Sequence, residues 1–224
     1  MKTRRNWSWS TNKPLLSSLV EVAEPKFILE LGTGLHSTPI FLNSNCKDII
    51  FIDNDQRWLN HVKRRNVFKP YHKTFFHDLG PEVSIGAFPK ELTKAKKAEI
   101  KDYYNKLLDN ISILDKFPKL LFVDHFTCCR TLAINTLYKG FDIIAYHDCE
   151  PRGVRWYEYY FEKELENNYS HYKLRTPRSW TGCFIKHGSD LEDKLEGNIK
   201  KHIQVYSKEI GVTPNQLSLV KEHE

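Results

Sequence analysis

The feature of this sequence that most constrains its fold is a regular alternation of short apolar runs with longer amphipathic stretches. The first five apolar runs lie at 26–31, 48–53, 72–78, 119–124 and 141–148, and a stretch with helical spacing of apolar residues follows each of them. Strand–helix–strand units of this kind build mostly parallel sheets with helices on both faces. We therefore predict a doubly wound α/β fold.

Two further apolar runs, 172–177 and 180–186, are close enough in sequence to form a hairpin. They complete a predicted seven-stranded, mostly parallel sheet with an antiparallel C-terminal hairpin. Helices are predicted at 14–24, 37–42, 90–114, 129–138, 156–165, 190–210 and 214–222, and after the second strand around Trp58, Leu59 and Val62. Because no repeat or flexible linker divides the chain, we expect a single domain over 1–224, with an N-terminal cap at 1–25 and C-terminal helices in 188–224.

Composition argues against several classes of protein. Hydrophobic residues make up 40% of the chain and charged residues 28%, as in soluble globular proteins rather than disordered ones. No apolar run approaches the ~18 residues of a membrane span, and the N-terminal MKTRRNWSWSTNK lacks the apolar region of a secretory signal. Five cysteines without a C-x-x-C spacing argue against a zinc module or disulfide scaffold, and for a reducing, cytoplasmic compartment.

The net charge of +6 is compatible with nucleic acid or an anionic substrate as a partner. The densest basic clusters, at 63–65 and 94–97, are short when each is taken by itself. This pattern predicts a scattered, solvated basic surface.

Acidic residues end every one of the first five predicted strands. The strand ends read Glu30-Leu31-Gly32-Thr33-Gly34, Asp53-Asn54-Asp55, His77-Asp78, Asp124-His125 and His147-Asp148. In doubly wound sheets the ligand lies outside these carboxyl ends. One such acid is ordinary, since Asp favours turns and helix caps, but five together need positive charge or hydrogen-bond donors. We therefore expect a ligand with hydroxyls, amines or a cation.

The glycine turn after the first strand allows a ligand to approach the backbone closely. A nicotinamide or flavin dinucleotide is one interpretation, because Asp53 lies 21 residues after Gly32, where a ribose-binding acid is expected. Two features oppose it: Ser37 stands at the third glycine position, and Glu30 would repel a pyrophosphate. A carboxylate beside an ammonium or sulfonium group is favourable instead.

These residues resemble the class I S-adenosylmethionine-dependent methyltransferases: ILELGTG, followed by an acid at the end of the second strand, is similar to their cofactor motif over about 26–186. The resemblance implies S-adenosylmethionine as the cofactor. It places Asp53 at both ribose hydroxyls, with Asp55 more simply a helix cap, and it places Asp78 with Leu79 at the adenine edge. Ser37 is either a cofactor-carboxylate ligand or a helix cap. The full set of implied cofactor residues is Glu30, Gly32, Thr33, Gly34, Ser37, Asp53, Asn54, Asp78 and Leu79.

The methyl acceptor is suggested by the segment after the fourth strand. Nitrogen and DNA-base methyltransferases often have Asn/Asp-Pro-Pro-aromatic there, whereas this chain has Asp124-His125-Phe126-Thr127, which makes nucleic acid a disfavoured partner. Asp124, Arg130, His147 and Asp148 resemble the pattern of carbohydrate and small-molecule O-methyltransferases. We expect a sugar hydroxyl in a glycan; another small metabolite, a protein side chain, or a non-catalytic RNA-binding module stay open.

Two chemistries fit the predicted catalytic residues Asp124, His147 and Asp148. In one, His147 or Asp124 is the general base and Asp148 or Arg130 orients the acceptor. In the other, Asp124 and Asp148 bind a divalent cation, with Glu150 or His147 as a third ligand. We favour the metal-free version. The alternative for His147 is a purely structural role, as a strand-end histidine packed under a loop.

Aromatic and basic residues are expected to cover the acceptor, because rings stack on sugars and Arg binds hydroxyls. Segment 79–118, longer than a normal strand connection, is the expected lid. The competing interpretation is a core stripe on a helix. The residues concerned are Trp7, Trp9, Tyr103, Tyr104, Trp156, Tyr157, Tyr159, Arg175, Arg178 and Trp180.

Overall fold

One mixed sheet of eight strands forms the centre of the protein, and its first five strands are parallel. The computed structural model describes residues 10–80, 83, 89–125, 127–151 and 157–222. The strands are β1 (Phe27–Leu31), β2 (Ile49–Asp53), β3 (Lys73–Phe76), β4 (Lys119–Val123), β5 (Ile143–His147), β6 (Tyr169–Arg175), β7 (Thr181–Lys186) and β8 (Ser218–Lys221). They lie in the order β3-β2-β1-β4-β5-β7-β6-β8. β7 runs antiparallel to β5 and β6, which confirms the predicted hairpin.

The helices that the structure describes from end to end are α1 (Lys13–Ala23), α2 (Thr38–Leu42), α3 (Gln56–Arg65), α4 (Lys94–Ser112), α5 (Arg130–Leu137), α6 (Lys163–Asn168) and α7 (Leu191–Ile210). Short 3-10 turns lie at Pro89–Glu91, Thr127–Cys129, Tyr138–Gly140 and Pro214–Gln216. Local sequence sets several boundaries: Pro14 stands in the first turn of α1, and Gly211, with φ 75°, ends α7.

Two predicted elements are wrong. The predicted helix at 214–222 is a 3-10 turn followed by β8, which runs antiparallel to β6 and gives the sheet its eighth strand. The predicted helix at 156–165 is interrupted by an irregular segment at 158–162, and its last three residues belong to α6. Side chains of α5 satisfy this segment instead: Thr131 Oγ1 donates to the Glu158 carbonyl at 3.2 Å and Asn135 Nδ2 to that of Tyr160 at 3.0 Å.

The sheet separates two apolar layers, because successive strand residues face opposite sides. On one side Phe27, Leu29 and Leu31 pack in the same core as residues of α4 and α5. On the other side Ile28 and Phe122 pack in the same core as residues of α1, α2 and α7. β1 and β4 are buried along their whole length, as central strands covered on both faces are. Helices therefore lie on both faces, as predicted.

The strand order changes direction between β1 and β4, which opens a crevice at their C-terminal ends. Leu31 at the end of β1 lies level with Ile52 of β2 and Val123 of β4. Gly32 follows with φ +89°, and a Cβ atom there would lie 2.4 Å from the backbone nitrogen of His125. Only glycine lets the turn after β1 pass this close to the end of β4.

The long segment 79–118 contains α4 in its second half. Ile100, Tyr104 and Ile111 of α4 belong to the core that α5 shares, so α4 serves as the crossover helix between β3 and β4. Residues 81–82 and 84–88 lie outside the described part of the chain. A lid over the acceptor stays a prediction for the remainder of the segment.

No helix in the described residues combines the length and apolar character that crossing a membrane requires. All five cysteines are free thiols with buried side chains. Cys128 and Cys129 are neighbours whose Sγ atoms lie 3.5 Å apart without a disulfide. The thiols therefore contribute to the structure as small apolar core residues.

Candidate active site

The turn after β1 is bound to the end of β2 through one carboxylate. Thr33 donates from its backbone N–H and its hydroxyl to Asp53 Oδ2, at 2.7 and 2.6 Å. The backbone N–H of Asp55 donates to Asp53 Oδ1 at 2.8 Å. Asp53 is only 4% exposed, and burial raises its pKa against these hydrogen bonds. The acid that the resemblance assigns to the ribose thus already fixes the glycine turn, and one acceptor position on Oδ1 remains for a ligand.

Glu30 lies beneath the same turn and is fully buried. The hydroxyls of Ser37 and Thr38 donate to its two oxygens at 2.5 and 2.7 Å, and the Gly34 N–H donates to Thr38 Oγ1 at 3.0 Å. Burial raises the pKa of Glu30 well above its ordinary value, although both hydroxyls oppose this. Glu30 therefore holds the start of α2 against β1. Ser37 donates its hydroxyl proton to Glu30 and does not cap α2, while its contact with a cofactor carboxylate stays a prediction.

The residues after β2 take different roles. Asp55 Oδ1 accepts from the backbone N–H groups of Arg57 and Trp58, at 2.9 and 3.0 Å, and so caps α3 as predicted. Trp58 Nε1 donates to the carbonyl of Thr33 at 2.6 Å, which joins α3 to the glycine turn. Asn54 Nδ2 is buried and, among the described residues, has no hydrogen-bond partner. Because an unpaired buried donor costs free energy, this amide is a candidate ligand group.

Asp78 and Leu79 follow β3 at the far side of the crevice. Leu79 is 3% exposed, whereas Asp78 is exposed and accepts from the Gly80 N–H at 2.9 Å. His77 stacks on Tyr103 of α4 with 3.5 Å between ring centres, and burial lowers the pKa of His77 to about 4. The adenine-edge role of Asp78 and Leu79 stays a prediction, for which a neutral ring stack and an apolar wall are suitable surroundings.

The ends of β4 and β5 meet at a buried guanidinium. Arg130 Nη2 lies 2.9 Å from Asp124 Oδ1, and Arg130 Nη1 lies 3.0 Å from Asp148 Oδ2. Its Nε donates to the His125 carbonyl at 2.7 Å and its Nη1 to the His147 carbonyl at 3.2 Å. Burial opposes the charge, but the carboxylates of Asp124 and Asp148 outweigh it and raise the pKa of Arg130. Arg130 thus fixes the two predicted catalytic acids relative to each other.

His147 lies against this group and is 4% exposed. Its Nδ1 is 3.4 Å from Asp124 Oδ2 and 3.6 Å from Asp148 Oδ1, and its Nε2 is 2.9 Å from Thr11 Oγ1. Burial alone would lower the pKa of His147, but the carboxylates of Asp148 and Asp124 outweigh burial and raise it to about 9. At neutral pH His147 is therefore an imidazolium and cannot accept a proton. This agrees with a packed strand-end histidine and leaves Asp124 as the candidate base.

Asp148 is held from several sides. Its Oδ2 accepts from the Tyr157 hydroxyl at 2.9 Å and its Oδ1 from the Ser179 hydroxyl at 2.7 Å. Its φ of 59° lies in the left-handed region, which Asp tolerates better than most residues. Burial would raise its pKa, but the charges of His147 and Arg130 lower it well below the ordinary range. Asp148 is thus a fixed anion, suited to orienting groups rather than to accepting a proton.

The site also contains three residues to which sequence reasoning assigned no role, namely His125, Thr11 and Ser179. Tyr104 and His125 are buried, with 2.5 Å between the Tyr104 hydroxyl and His125 Nε2, and burial lowers the pKa of His125 well below its ordinary value. Thr11 and Ser179 reach the β4–β5 group from 136 and 31 residues away in sequence. Contacts at such separations leave no local pattern. Only the helical spacing of Ile100 and Tyr104 could have placed Tyr104 in the core.

The residues predicted to cover the acceptor separate into several places. Trp7, Trp9 and Trp156 lie outside the described residues. Tyr104 and Tyr159 belong to the core, while Arg175, Arg178 and Trp180 lie around the β6–β7 turn. Of the described members, Tyr157 is the one that contacts the catalytic acids, through Asp148, and its ring lies 4.3 Å from Arg130 Cζ.

A metal ion has one candidate place in the described residues. Asp124, His147 and Asp148 offer ligand atoms within 4.8 Å of one another. The Arg130 guanidinium already joins both carboxylates, and protonated His147 lies beside them, so a divalent ion would meet two positive charges. Glu150, the other ligand considered, accepts a hydrogen bond from the Trp180 N–H in the β6–β7 turn at 3.2 Å. The arrangement favours metal-free chemistry, and metal dependence stays a prediction that a chelator tests.

Comparison with known proteins identifies the fold. No protein-family model and no curated protein matches the sequence. A methyltransferase-like protein from Silicibacter pomeroyi dss-3 has a similar structure, with a TM-score of 0.51 and 16% identity over 89% of this chain and 96% of that chain. Spermidine synthase from Thermotoga maritima has a TM-score of 0.52 and 11% identity over 87% of this chain and 65% of that chain. At these identities the likeness concerns architecture: the chain has the α/β fold of the class I S-adenosylmethionine-dependent methyltransferases.

Proposed function

We propose that the protein is an S-adenosylmethionine-dependent O-methyltransferase that acts on a sugar hydroxyl. The position of Asp124 is the observation that carries this. Its carboxylate is 24% exposed, and a Cβ atom at Gly32 would lie 2.5 Å from the Asp124 carbonyl carbon and oxygen. Asp124, which bears a proton acceptor, thus lies in the chain directly beside the glycine turn, and transfer to a hydroxyl requires such a group. The fold alone does not determine the reaction, because a spermidine synthase is among the similar structures.

The residues around the turn fit the cofactor. The glycine turn passes directly beside the end of β4, and the buried Asn54 amide lacks a partner in the described chain. Asp53 and Asn54 would hold the ribose, with Asp78 and Leu79 at the adenine. When bound, S-adenosylmethionine supplies a methyl group on a positively charged sulfur.

The charge of Glu30 no longer argues for S-adenosylmethionine against a dinucleotide such as NAD. Its side chain is fully buried and bonded to Ser37 and Thr38, so it does not face a ligand. Repulsion of a pyrophosphate therefore cannot be used against a dinucleotide. NAD becomes a necessary control in any binding experiment.

The chain's own groups divide the acceptor chemistry between them. Asp124 Oδ2, whose distance of 3.4 Å from His147 Nδ1 is too long for a strong hydrogen bond, is available to take the hydroxyl proton. Asp148 already accepts from the hydroxyls of Tyr157 and Ser179, which shows that this group suits O–H donors. A sugar offers several neighbouring hydroxyls and an apolar face for the Tyr157 ring. These features support a sugar over an acceptor with a single polar group.

The cofactor proposal is tested by ligand binding. We expect micromolar affinity for S-adenosylmethionine, about −8 kcal/mol. At a hundredfold excess over Kd the ligand should stabilise the fold by ~2.7 kcal/mol, seen as a higher melting temperature. Stabilisation by NAD with none by S-adenosylmethionine would overturn the assignment.

The acceptor proposal is tested by turnover, measured as S-adenosylhomocysteine release with a panel of monosaccharides and small metabolites. Asp124→Asn should lower turnover by about 10²–10⁴-fold, the usual contribution of a general base, with cofactor affinity unchanged. Asp115→Asn, at an exposed position, is the matched control. Activity that survives EDTA supports the protein base, whereas loss that magnesium or manganese restores supports a metal site. Full activity of Asp124→Asn on the true acceptor would remove Asp124 from the mechanism.

A further inference from the structure

The positive charge of the protein is concentrated in one segment. Residues 56–76 contain six Lys and Arg residues and no Asp or Glu, while the remainder of the chain has 28 residues of each sign. The whole net charge of +6 therefore comes from α3, β3 and their connection. The expectation of a scattered basic surface treated short clusters one at a time and did not single out this segment.

The fold places this segment at one edge of the sheet, where β3 is the terminal strand. All six cationic side chains are exposed, and within the described chain none of them pairs with an acid. Lys63 Nζ donates to Thr74 Oγ1 at 3.2 Å, which ties the end of α3 to β3. The helix dipole favours cations in the last turn of α3, but it does not account for Lys69 and Lys73. The six residues are Arg57, Lys63, Arg64, Arg65, Lys69 and Lys73.

The same edge exposes aromatic rings. Tyr71 is 43% exposed, Phe75 49% and Phe76 43%. Half of the large hydrophobic side chains that are exposed in the described part of the chain lie within 67–76. Exposed rings among unpaired cations are unusual for a merely solvated surface, where apolar side chains have no favourable contact.

We propose that this β3 edge, formed by the six cations and the rings of Tyr71, Phe75 and Phe76, binds single-stranded nucleic acid. Unpaired Lys and Arg side chains neutralise phosphates, and exposed rings stack on unpaired bases, which is how proteins hold single strands without reading their sequence. This proposal does not depend on the identity of the methyl acceptor. An RNA ribose hydroxyl would be an acceptor compatible with both proposals.

The arrangement of the rings distinguishes this partner from a membrane. Phe75 and Phe76 are adjacent in β3, so their side chains point to opposite faces of the sheet. A flat bilayer can receive rings from only one of these faces, whereas a flexible single strand can pass around the edge. An acidic peptide would match the charge but would give the rings no planar partner.

The test is binding of a fluorescent oligouridylate of about 15 nucleotides to the full chain without cofactor, followed by anisotropy at increasing salt. We expect affinity to fall steeply between about 50 and 200 mM salt, as counterion release requires. Arg64→Gln/Arg65→Gln should weaken binding about tenfold and flatten the salt dependence. Phe75→Leu, which keeps an apolar side chain but removes the ring, should weaken binding about fivefold or more. The charge-matched control is Lys200→Gln/Lys208→Gln on α7, at exposed positions, which should change little.

Parallel measurements identify the partner class. An oligothymidylate of the same length replaces RNA by DNA. A surface that recognises only the backbone and stacked bases should bind both with similar affinity. Binding to phosphatidylserine vesicles or poly-glutamate in place of both oligonucleotides would overturn the proposal, as would equal losses in the α7 control. An intact melting temperature in each variant shows that a loss of affinity is not a loss of fold. Because the cofactor is absent, failure here leaves the methyltransferase proposal untouched, and failure of methyl transfer leaves this one untouched.

Discussion

The acids at the ends of β1 and β2 and those at the ends of β4 and β5 are paired in opposite ways. Glu30 and Asp53 are bonded to hydroxyls and backbone N–H groups, and burial raises the pKa of each. Asp124 and Asp148 contact the cations Arg130 and His147 instead, and these charges lower the pKa of Asp148. Acidic residues near the strand ends of one sheet therefore have different partners, and the pKa of Asp148 is shifted in the direction opposite to those of Glu30 and Asp53.

This difference teaches what each side of the crevice can do. Neutral donors hold Glu30 and Asp53 in place as structural supports for the glycine turn. Cationic partners contact Asp124 and Asp148 and hold the pKa of Asp148 low, so the carboxylates paired with cations lie on the β4–β5 side. If the comparison is right, removing charge should be costly on the β4–β5 side and nearly neutral on the β1–β2 side.

The largest expected effect is that of Arg130→Met. It removes the cation between Asp124 and Asp148 and leaves two partly buried carboxylates with reduced compensation, for which we expect a loss of up to about 3–5 kcal/mol, the usual cost in a fully buried pair. Urea unfolding measures the loss of stability. The control Arg64→Met, at an exposed position, should change it by less than about 0.5 kcal/mol. A similarly small change for Arg130→Met would mean that the β4–β5 charges are solvated rather than mutually paired.

The second effect is a loss of stability at alkaline pH. His147 has a folded pKa of about 9, above its ordinary value of 6.5, so its contribution is fully present below 6.5 and is lost as pH rises through 9. The upper limit is about 3 kcal/mol, at 1.36 kcal/mol for each unit of pKa. Free energies of unfolding between pH 6 and about 10 should show this fall, and His147→Gln should reduce it. A profile for His147→Gln that matches the native protein would assign the fall to other groups.

The sequence predicted the positions of the first seven strands along the chain because each apolar run is short and distinct. It failed at 214–222 and 156–165, where the outcome depends on partners elsewhere in the chain. β8 forms because β6 offers an edge to pair with, and 158–162 is irregular because α5 side chains satisfy its backbone. Neither partner is visible in the local pattern.

The site shows the same division between what is local and what is not. The glycine turn, Asp53 and the Asp55 helix cap follow from spacing alone. Spacing does not show in which direction each carboxylate points or which donor or cation it contacts there. Glu30 was expected to face a ligand and instead binds Ser37 and Thr38. His147 was weighed as a base, but two carboxylates fix it as a cation.

A third prediction concerns cofactor affinity on the β1–β2 side. Asp53→Asn should weaken S-adenosylmethionine binding at least tenfold, about 1.4 kcal/mol, because it removes a charged acceptor and loosens Thr33. Asp55→Asn, two residues away, should leave affinity unchanged, and Asp55→Ala should lower stability by about 1 kcal/mol as a lost helix cap. Calorimetric titration and thermal unfolding give the two quantities. If Asp55→Asn weakens cofactor binding and Asp53→Asn does not, Asp55 rather than Asp53 binds the ribose.

The smallest expected effect, and the sharpest test of the comparison, is that of Glu30→Gln. The folded pKa of Glu30 is raised by burial, so its contribution to stability is present below its ordinary pKa and is lost as pH rises through the folded value. Gln keeps the shape and cannot ionise, and a hydroxyl of Ser37 or Thr38 can turn to accept from the new amide, since hydroxyls both donate and accept. We therefore expect the free energy of unfolding at neutral pH to change by less than about 1 kcal/mol, or to rise. The isosteric Asp148→Asn, measured beside it, should lose several times more, because Arg130 and His147 lose a paired anion. A loss above about 2 kcal/mol for Glu30→Gln would mean that Glu30 is held as a paired anion, and the two sides of the crevice would then be alike.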